Sequence, residues 1–99
     1  MTTCSDLVEA KKMARGIVER RLAACVSVVP QITSAYRWKG AIEESEEALM
    51  IIKTTSKAVG PAIETIREMH SYENPEILAI DISEGSEDYL KWVEDTTKG

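Results

Sequence analysis

The one histidine of the chain, His70, lies in the stretch MHSYENPEIL, residues 69–78, together with Tyr72, Glu73 and Glu76. Imidazole nitrogen suits copper, zinc and nickel, so His70 is the first candidate for a metal ligand. A stable tetrahedral site needs three or four ligands. We expect the others to come from Glu73, from Cys4, whose thiolate suits Cu(I) or zinc, or from a neighbouring subunit. The alternative is an ordinary histidine at a helix C-terminus, which the helix dipole favours when the imidazole is protonated.

A second concentration of carboxylates is EESEE, residues 43–47. Alternate residues of a strand lie nearly 7 Å apart, roughly too far to chelate one ion tightly without other ligands. We therefore interpret this stretch as a charged, solvated strand edge that discourages unwanted pairing, with loose attraction of cations as the alternative. Cys25 lies in the apolar run LAACVSVV, which predicts a buried free thiol.

Aromatic and basic side chains suggest a second kind of site. Trp38 and Tyr72 could form part of an aromatic pocket wall, although packing in a core or interface is the commoner role of such rings. Arg37 and Lys53, beside Glu73 and Glu76, could line a polar cleft between subunits. A small anionic ligand would bind there, so the predicted cleft residues are as follows: Trp38, Lys53, Tyr72, Glu76 and Arg37.

Composition limits the function classes. The length of 99 residues favours a single domain, residues 1–99, and the net charge of −5 opposes binding to nucleic acid or to an anionic membrane. No apolar run approaches the roughly 20 residues of a membrane span, and no basic start leads into an apolar stretch. We expect a cytoplasmic protein. No Ser/His/Asp order, nucleotide-binding glycine loop or zinc-hydrolase spacing is present, so we expect no enzyme, although His70 and Glu73 could form a base and its orienting partner.

The elements that must position these residues alternate along the chain. A helix is predicted within residues 5–23, with a capping box from Asp6 to Glu9. Residues 24–55 read as one long hairpin with a bulge or bend at Pro30 and a turn at residues 39–40. A second helix opens at Ser56 or, because Pro61 conflicts with its first turn, nearer residue 60.

The second predicted helix ends at or just before His70, and Pro75 prevents its continuation. Residues 76–83, EILAIDIS, are apolar on both faces from Ile77 to Ile80 and predict a strand in the centre of a sheet. A short helix capped by Ser86 follows. With a short first strand in MTTC, residues 1–4, the order becomes βαββαβ plus a C-terminal helix, an α+β ferredoxin-like unit.

The length of the hairpin predicts self-association. Each arm has about 15 residues and spans about 50 Å, whereas a domain of this size is near 35 Å across. The hairpin must therefore bend at Pro30 or project beyond the fold. A projecting hairpin with Tyr36, Trp38 and Ile42 exposes strand edges and apolar side chains, which a second copy of the chain covers most simply. The alternative is a sharply coiled hairpin in a monomer.

Three stretches closely resemble the CutA family of divalent-cation tolerance proteins: RRLAACVSVVPQITSAYRWKGAIEESEEALMIIKTT, HSYENPEILAIDISEG and YLKWV. The match covers nearly the whole chain in one order, which is more specific than any single short motif. Two departures stand out. Ser71 occupies the position of a family proline, and MTTC stands where members usually carry a full apolar first strand.

The resemblance implies a ferredoxin-like fold, a homotrimer in which long hairpin strands pair between subunits, and a role in metal-ion tolerance through binding of divalent cations, copper among them. His70, Cys4 and Glu73 would then be the metal ligands. The alternative is a trimeric signalling or scaffold module, similar in fold to the PII-type regulators, which would bind a small molecule or partner in the cleft between subunits.

Overall fold

The computed structural model describes residues 1–98. Its elements, in chain order, are β1 (Thr2–Cys4), α1 (Leu7–Glu19), β2 (Cys25–Trp38), β3 (Ala41–Lys53), α2 (Ser56–Met69) and α3 (Glu87–Thr97). The strands form one antiparallel sheet in the order β1-β3-β2. The predicted α+β class is therefore confirmed, with three helices and a three-stranded sheet. None of the helices within residues 1–98 is long and apolar enough to cross a membrane.

Helix α1 begins where its capping residues predict. Asp6 is the N-cap, and its carboxylate accepts a 2.9 Å hydrogen bond from the backbone N–H of Glu9. The Glu9 side chain in turn accepts from the backbone N–H of Ser5 at 3.0 Å. One face of the helix is buried against the sheet, and its buried residues are Ala10, Met13 and Ile17. Their spacing is that of an amphipathic helix, as the sequence predicts.

Strands β2 and β3 form the predicted hairpin. The turn consists of Lys39 and Gly40, whose φ angles of 49° and 81° are both positive, as a two-residue type I′ connection requires. The pairing register shifts between Val29 and Ile32, so the predicted irregularity at Pro30 is confirmed. The molecule measures 45 × 26 × 22 Å, because the hairpin extends well beyond the helices that cover its base. The single chain is thus elongated, as the length of the arms requires.

Helix α2 positions His70. It begins at Ser56, the first of the two predicted starts, and tolerates Pro61 in its second turn. His70 is its C-cap residue, and the backbone N–H of His70 donates to the carbonyl of Ile66 at 2.9 Å. The imidazole therefore lies at the point where the chain leaves the helix, as predicted.

The predicted central strand over residues 76–83 is wrong. Within residues 1–98 that segment makes a single bridge, between Ile77 and Thr2, next to which Met1 and Leu78 exchange two backbone hydrogen bonds. The physical reason is that β1 has only three residues and offers no further edge to pair with. Leu78, Ile80 and Ile82 are consequently 53%, 72% and 68% exposed instead of buried.

The hydrophobic core lies between the sheet and helices α1 and α2. It contains no buried aromatic ring within residues 1–98, and its buried members are Cys4, Ala10, Met13, Ile17, Ala23, Ala48, Met50 and Ile66. Many larger apolar side chains remain exposed at the hairpin tip, along residues 78–82 and on α3. They include Tyr36, Trp38, Ile42, Leu78, Ile80, Ile82, Tyr89 and Trp92. One chain therefore leaves large apolar side chains exposed in each of these three places.

Candidate metal centre

His70 is buried, and both of its ring nitrogens have partners. Its Nδ1 accepts a hydrogen bond from the backbone N–H of Tyr72 at 3.1 Å, and its Nε2 lies 2.7 Å from the carbonyl oxygen of Thr3. A backbone N–H can only donate, so Nδ1 carries no proton, and Nε2 must carry one to donate to the carbonyl. This geometry fits a neutral imidazole. The alternative of a protonated histidine that interacts with the helix dipole does not fit, because an N–H at Nδ1 would face the N–H of Tyr72.

Cys4 lies at the end of β1 and is completely buried. Its thiol contacts the sulfur of Met50, with Sγ and Sδ 3.2 Å apart. Burial, followed by the negative charge of nearby carboxylates, chiefly Glu9, raises the pKa of the Cys4 thiol to about 12. The group is therefore a protonated thiol at neutral pH. Cys25, predicted to be the buried thiol, is only half-buried and lies 3.9 Å from the Lys53 ammonium.

Glu9 is the half-buried carboxylate that closes this group of side chains. Its Oε1 accepts from the backbone N–H and the hydroxyl of Ser5 at 3.0 and 3.1 Å, and its Oε2 accepts from the backbone N–H of Ser71 at 2.9 Å. Burial opposes ionisation, but the hydrogen bonds from Ser71 and Ser5 outweigh it and lower the pKa of Glu9. The carboxylate therefore joins the start of α1 to the segment after α2.

Cys4, Glu9 and His70 form a group of potential metal ligands in the described part of the chain. One sulfur, one oxygen and one nitrogen atom from these residues all lie within 4.8 Å of one another. Ligands on one tetrahedral ion lie about 3.5 Å apart, given metal–ligand distances of about 2.0 to 2.3 Å. A contraction of roughly 1 Å would bring all three onto one ion. The donor set of thiolate, imidazole and carboxylate fits zinc or copper.

The structure brings together two of the three predicted ligands and adds a third. His70 and Cys4 are neighbours, but Glu73 is exposed and is not part of this group, in which Glu9 provides the carboxylate. Glu73 is close to His70 only along the chain. Helix α1 begins at the end of the sheet where α2 finishes, and this arrangement places Glu9 beside the residues that follow His70.

Tyr72 lies over the imidazole and connects it to strand β3. The two ring centroids are 4.8 Å apart at an interplanar angle of 44°, and the phenol donates to Glu47 Oε2 at 2.8 Å. Burial, and after it the hydrogen bond with Glu47, raises the pKa of Tyr72. The interpretation of residues 43–47 as a solvated edge is therefore wrong for Glu47, which is buried, whereas the other three carboxylates of the stretch are exposed.

The predicted cleft residues are dispersed in one chain. Arg37 and Trp38 lie at the hairpin tip, whereas Lys53 lies at its base, about 40 Å away along a strand of this length. Tyr72 belongs to the surroundings of His70, and Glu76 is exposed in the following segment. A cleft between subunits that unites these residues stays a prediction.

Comparison with known proteins supplies the family. The family model for the CutA1 divalent ion tolerance protein matches residues 1–96. The chain belongs to the CutA1 family. The resemblance carried by the hairpin and by the residues after α2 is thereby confirmed.

Relatives of this chain occur in very different organisms. A CutA homolog of Xenopus laevis is 52% identical over 94% of this chain, which spans only 62% of that relative. The divalent-cation tolerance protein CutA of Thermus thermophilus is 44% identical, with 89% of this chain and 85% of that relative covered. Two CutA1-family members are thus similar to the chain along most of its length.

Solved structures show that the fold is that of CutA proteins. The structure of the periplasmic divalent cation tolerance protein CutA from Archaeoglobus fulgidus has a TM-score of 0.95 and 37% identity, with 98% of this chain and 94% of that chain covered. The Thermus thermophilus structure has a TM-score of 0.94 and 41% identity, with the same coverage. Helices, hairpin and the segment after α2 therefore belong to one shared architecture.

Proposed function

We propose that this CutA1-family protein binds a divalent cation through Cys4, Glu9 and His70 and thereby contributes to metal-ion tolerance. The observation that carries the proposal is the convergence of sulfur, oxygen and nitrogen donors within 4.8 Å at the boundary between α1, β1 and α2. The names of the relatives, which are divalent-cation tolerance proteins, support the same role. Copper and zinc are the ions that such a mixed donor set prefers.

Metal binding at this group displaces existing interactions. The imidazole must give up a hydrogen bond, either from Tyr72 to Nδ1 or from Nε2 to Thr3, and the thiol of Cys4 must lose its proton. Binding therefore releases protons and strengthens as the pH rises. An open groove lined by Ser5, Asp6, Val8, Glu9, Lys12, Met13 and Met69 gives solvent a path to the carboxylate. Three protein ligands leave a fourth position for water or another ligand.

We further propose that the protein is a cytoplasmic homotrimer. Apolar side chains are exposed at the hairpin tip and along residues 78–82. Association of identical subunits would bury them without requiring a second kind of protein. The segment after Leu78, which forms no strand pairing within residues 1–98, is also available to the strand edge of another subunit. Both cysteines are free thiols, which fits a reducing compartment.

Calorimetric titration with Cu(II) and with Zn(II) tests the metal site. Glu9→Gln and His70→Ala should each weaken binding, whereas Glu73→Gln is the matched control, because Glu73 is an exposed carboxylate outside the group. Equal heats for the unsubstituted protein and for His70→Ala would remove His70 from the site. Stabilisation by an organic anion but by no metal, measured by thermal shift, would favour the PII-like alternative.

A further inference from the structure

Three nucleophilic side chains lie together at the base of the hairpin, outside the candidate metal centre. Cys25 is directly opposite Lys53 in the strand register, and Ser27 is the diagonal neighbour of Lys53 on the same face of the sheet. The Lys53 ammonium donates to the Cys25 sulfur at 3.9 Å and also to the Ser27 hydroxyl. The pairing of β2 with β3 therefore holds a lysine Nζ beside a cysteine Sγ.

This group faces away from the hydrophobic core. Val26 and Ile52 pack against the core, and successive side chains of a strand point to opposite faces of a sheet. Cys25 and Lys53 therefore lie on the other face, where both are half-buried and a small molecule can reach them from solvent. The ion pairs found within residues 1–98 do not include Lys53, so its head group contacts only the thiol and the hydroxyl.

We propose that Cys25 and Lys53 form a modification site, at which the acyl group of a small thioester moves first to Cys25 and then to Lys53. Among protein side chains, the cysteine thiolate is an intrinsically strong nucleophile, which suits it to the first step. The amide formed on lysine is less reactive than a thioester, so the acyl group stays there. The product is an acylated Lys53 that has lost its positive charge.

The transfer consists of two exchanges. The Cys25 thiol loses its proton to solvent, Sγ forms a bond to the carbonyl carbon of the thioester, and the donor leaves as a thiolate. Lys53 loses one proton to solvent, its Nζ bonds to the same carbon, and the C–S bond to Cys25 breaks. The nitrogen then releases a second proton, and both thiolates are reprotonated. One thioester and one ammonium thus become one amide, one thiol and one proton, without an oxidant or reductant.

The distance between sulfur and nitrogen supports the second exchange. Reacting atoms must come to about 3 to 3.5 Å of each other. An acyl carbon on Cys25 is one covalent bond away from a sulfur that lies 3.9 Å from Nζ, so rotation about the Cβ–Sγ bond brings that carbon into range. The hydroxyl of Ser27 holds the lysine head group in this position. The step is intramolecular, an advantage that a lysine without a neighbouring thiol lacks.

Acetylation of the assembled protein by S-acetyl-N-acetylcysteamine, a small thioester, tests the site. Site-resolved mass spectrometry gives the acetylation rate of each lysine, divided by its rate of reductive methylation, which needs no thiol. We expect this ratio at Lys53 to exceed that at Lys39 by at least about tenfold, a small part of what intramolecular reactions reach. Lys39 is the internal control, because it lies in the turn at the opposite end of the hairpin from Cys25.

Two variants decide the route of the acyl group. In Cys25→Ser the ratio at Lys53 should fall to the value at Lys39, and an unchanged ratio would overturn the proposal, because Lys53 would then react directly. Lys53→Arg keeps the positive charge and removes the acceptor. The acetyl group should then remain on Cys25 as a thioester that hydroxylamine cleaves, and absence of this thioester would also overturn the proposal. Neither readout involves a metal ion, so both outcomes are independent of the candidate metal centre.

Discussion

Replacement of Glu9 by glutamine should destabilise the protein even without metal. The carboxylate accepts three hydrogen bonds, two from Ser5 and one from the backbone N–H of Ser71. Both oxygens face an N–H donor. A glutamine side chain must therefore point its NH₂ group at one of these donors, whichever way the amide is turned. The glutamine therefore loses one of the hydrogen bonds, to Ser5 or to Ser71, by which Glu9 connects the start of α1 to the segment after α2.

The expected magnitude follows from these bonds. A hydrogen bond to a charged group contributes about 1.5 to 3 kcal/mol when it is well buried, and less at a half-buried site such as this one. Loss of one such bond, together with a donor that faces another donor, should lower the free energy of unfolding by about 1 to 2 kcal/mol. For a domain of this size, that change corresponds to a decrease in Tm of roughly 5 to 10 °C.

The contribution of Glu9 to the free energy of unfolding should depend on pH. The pKa of Glu9 in the folded protein lies below its ordinary value of 4.5. The charged carboxylate therefore stabilises the folded state fully above that ordinary value, and the contribution disappears as the pH falls through the folded-state pKa. The stability difference between the unsubstituted protein and Glu9→Gln should be full at pH 7 and should shrink below about pH 4.5.

Urea denaturation at fixed protein concentration, at pH 7 and at pH 3, measures this difference. Glu73→Gln is the control, because an exposed carboxylate away from the group should change the free energy of unfolding by less than about 0.5 kcal/mol. Equal stability of Glu9→Gln and the unsubstituted protein at pH 7 would refute the hydrogen-bonding role. A difference of the same size at both pH values would refute its assignment to the ionised carboxylate.

Three further outcomes are expected. Tyr72→Phe should lower the free energy of unfolding by about 1 to 3 kcal/mol, because buried Glu47 loses the phenol donor; an unchanged denaturation midpoint would contradict this. Gly40→Ala should destabilise by about 1 kcal/mol in the same assay, since alanine is strained at a φ of 81°, whereas equal stability would show that the turn can relax. Light scattering should give about three times the 11.0 kDa of one chain, and a mass of one chain would defeat the trimer.

Local rules were sufficient for most elements. Helix α1 follows from its cap and its apolar spacing, and the hairpin follows from Lys39–Gly40 and from Pro30. The segment 76–83 could not be predicted in this way. An apolar stretch indicates that its side chains are buried, but it does not show whether they pack against the same chain or against another one. Its only partner within residues 1–98 is a strand of three residues, and that length limits the pairing to one bridge.

Only some residues of the candidate metal site could be predicted from the sequence, for a related reason. His70 and Cys4 stand out by their chemistry, whereas the spacing of Asp6 and Glu9 indicates only a capping box for Glu9. Glu73 is a candidate because it is near His70 in sequence, but long-range contacts decide which carboxylate is near in space. The signal for Glu9 lies in the topology, because a βαββα order places the start of α1 next to the end of α2.

The most direct test of the metal centre uses the fact that the chain contains one histidine. A nitrogen-15 NMR spectrum of the imidazole has a single pair of ring signals, and without metal it should show a neutral ring with the proton on Nε2. Addition of one equivalent of Zn(II) at pH 8 should shift these signals to a new position typical of a metal-bound ring nitrogen. Ring signals that stay unchanged in excess Zn(II) would contradict a metal centre at His70.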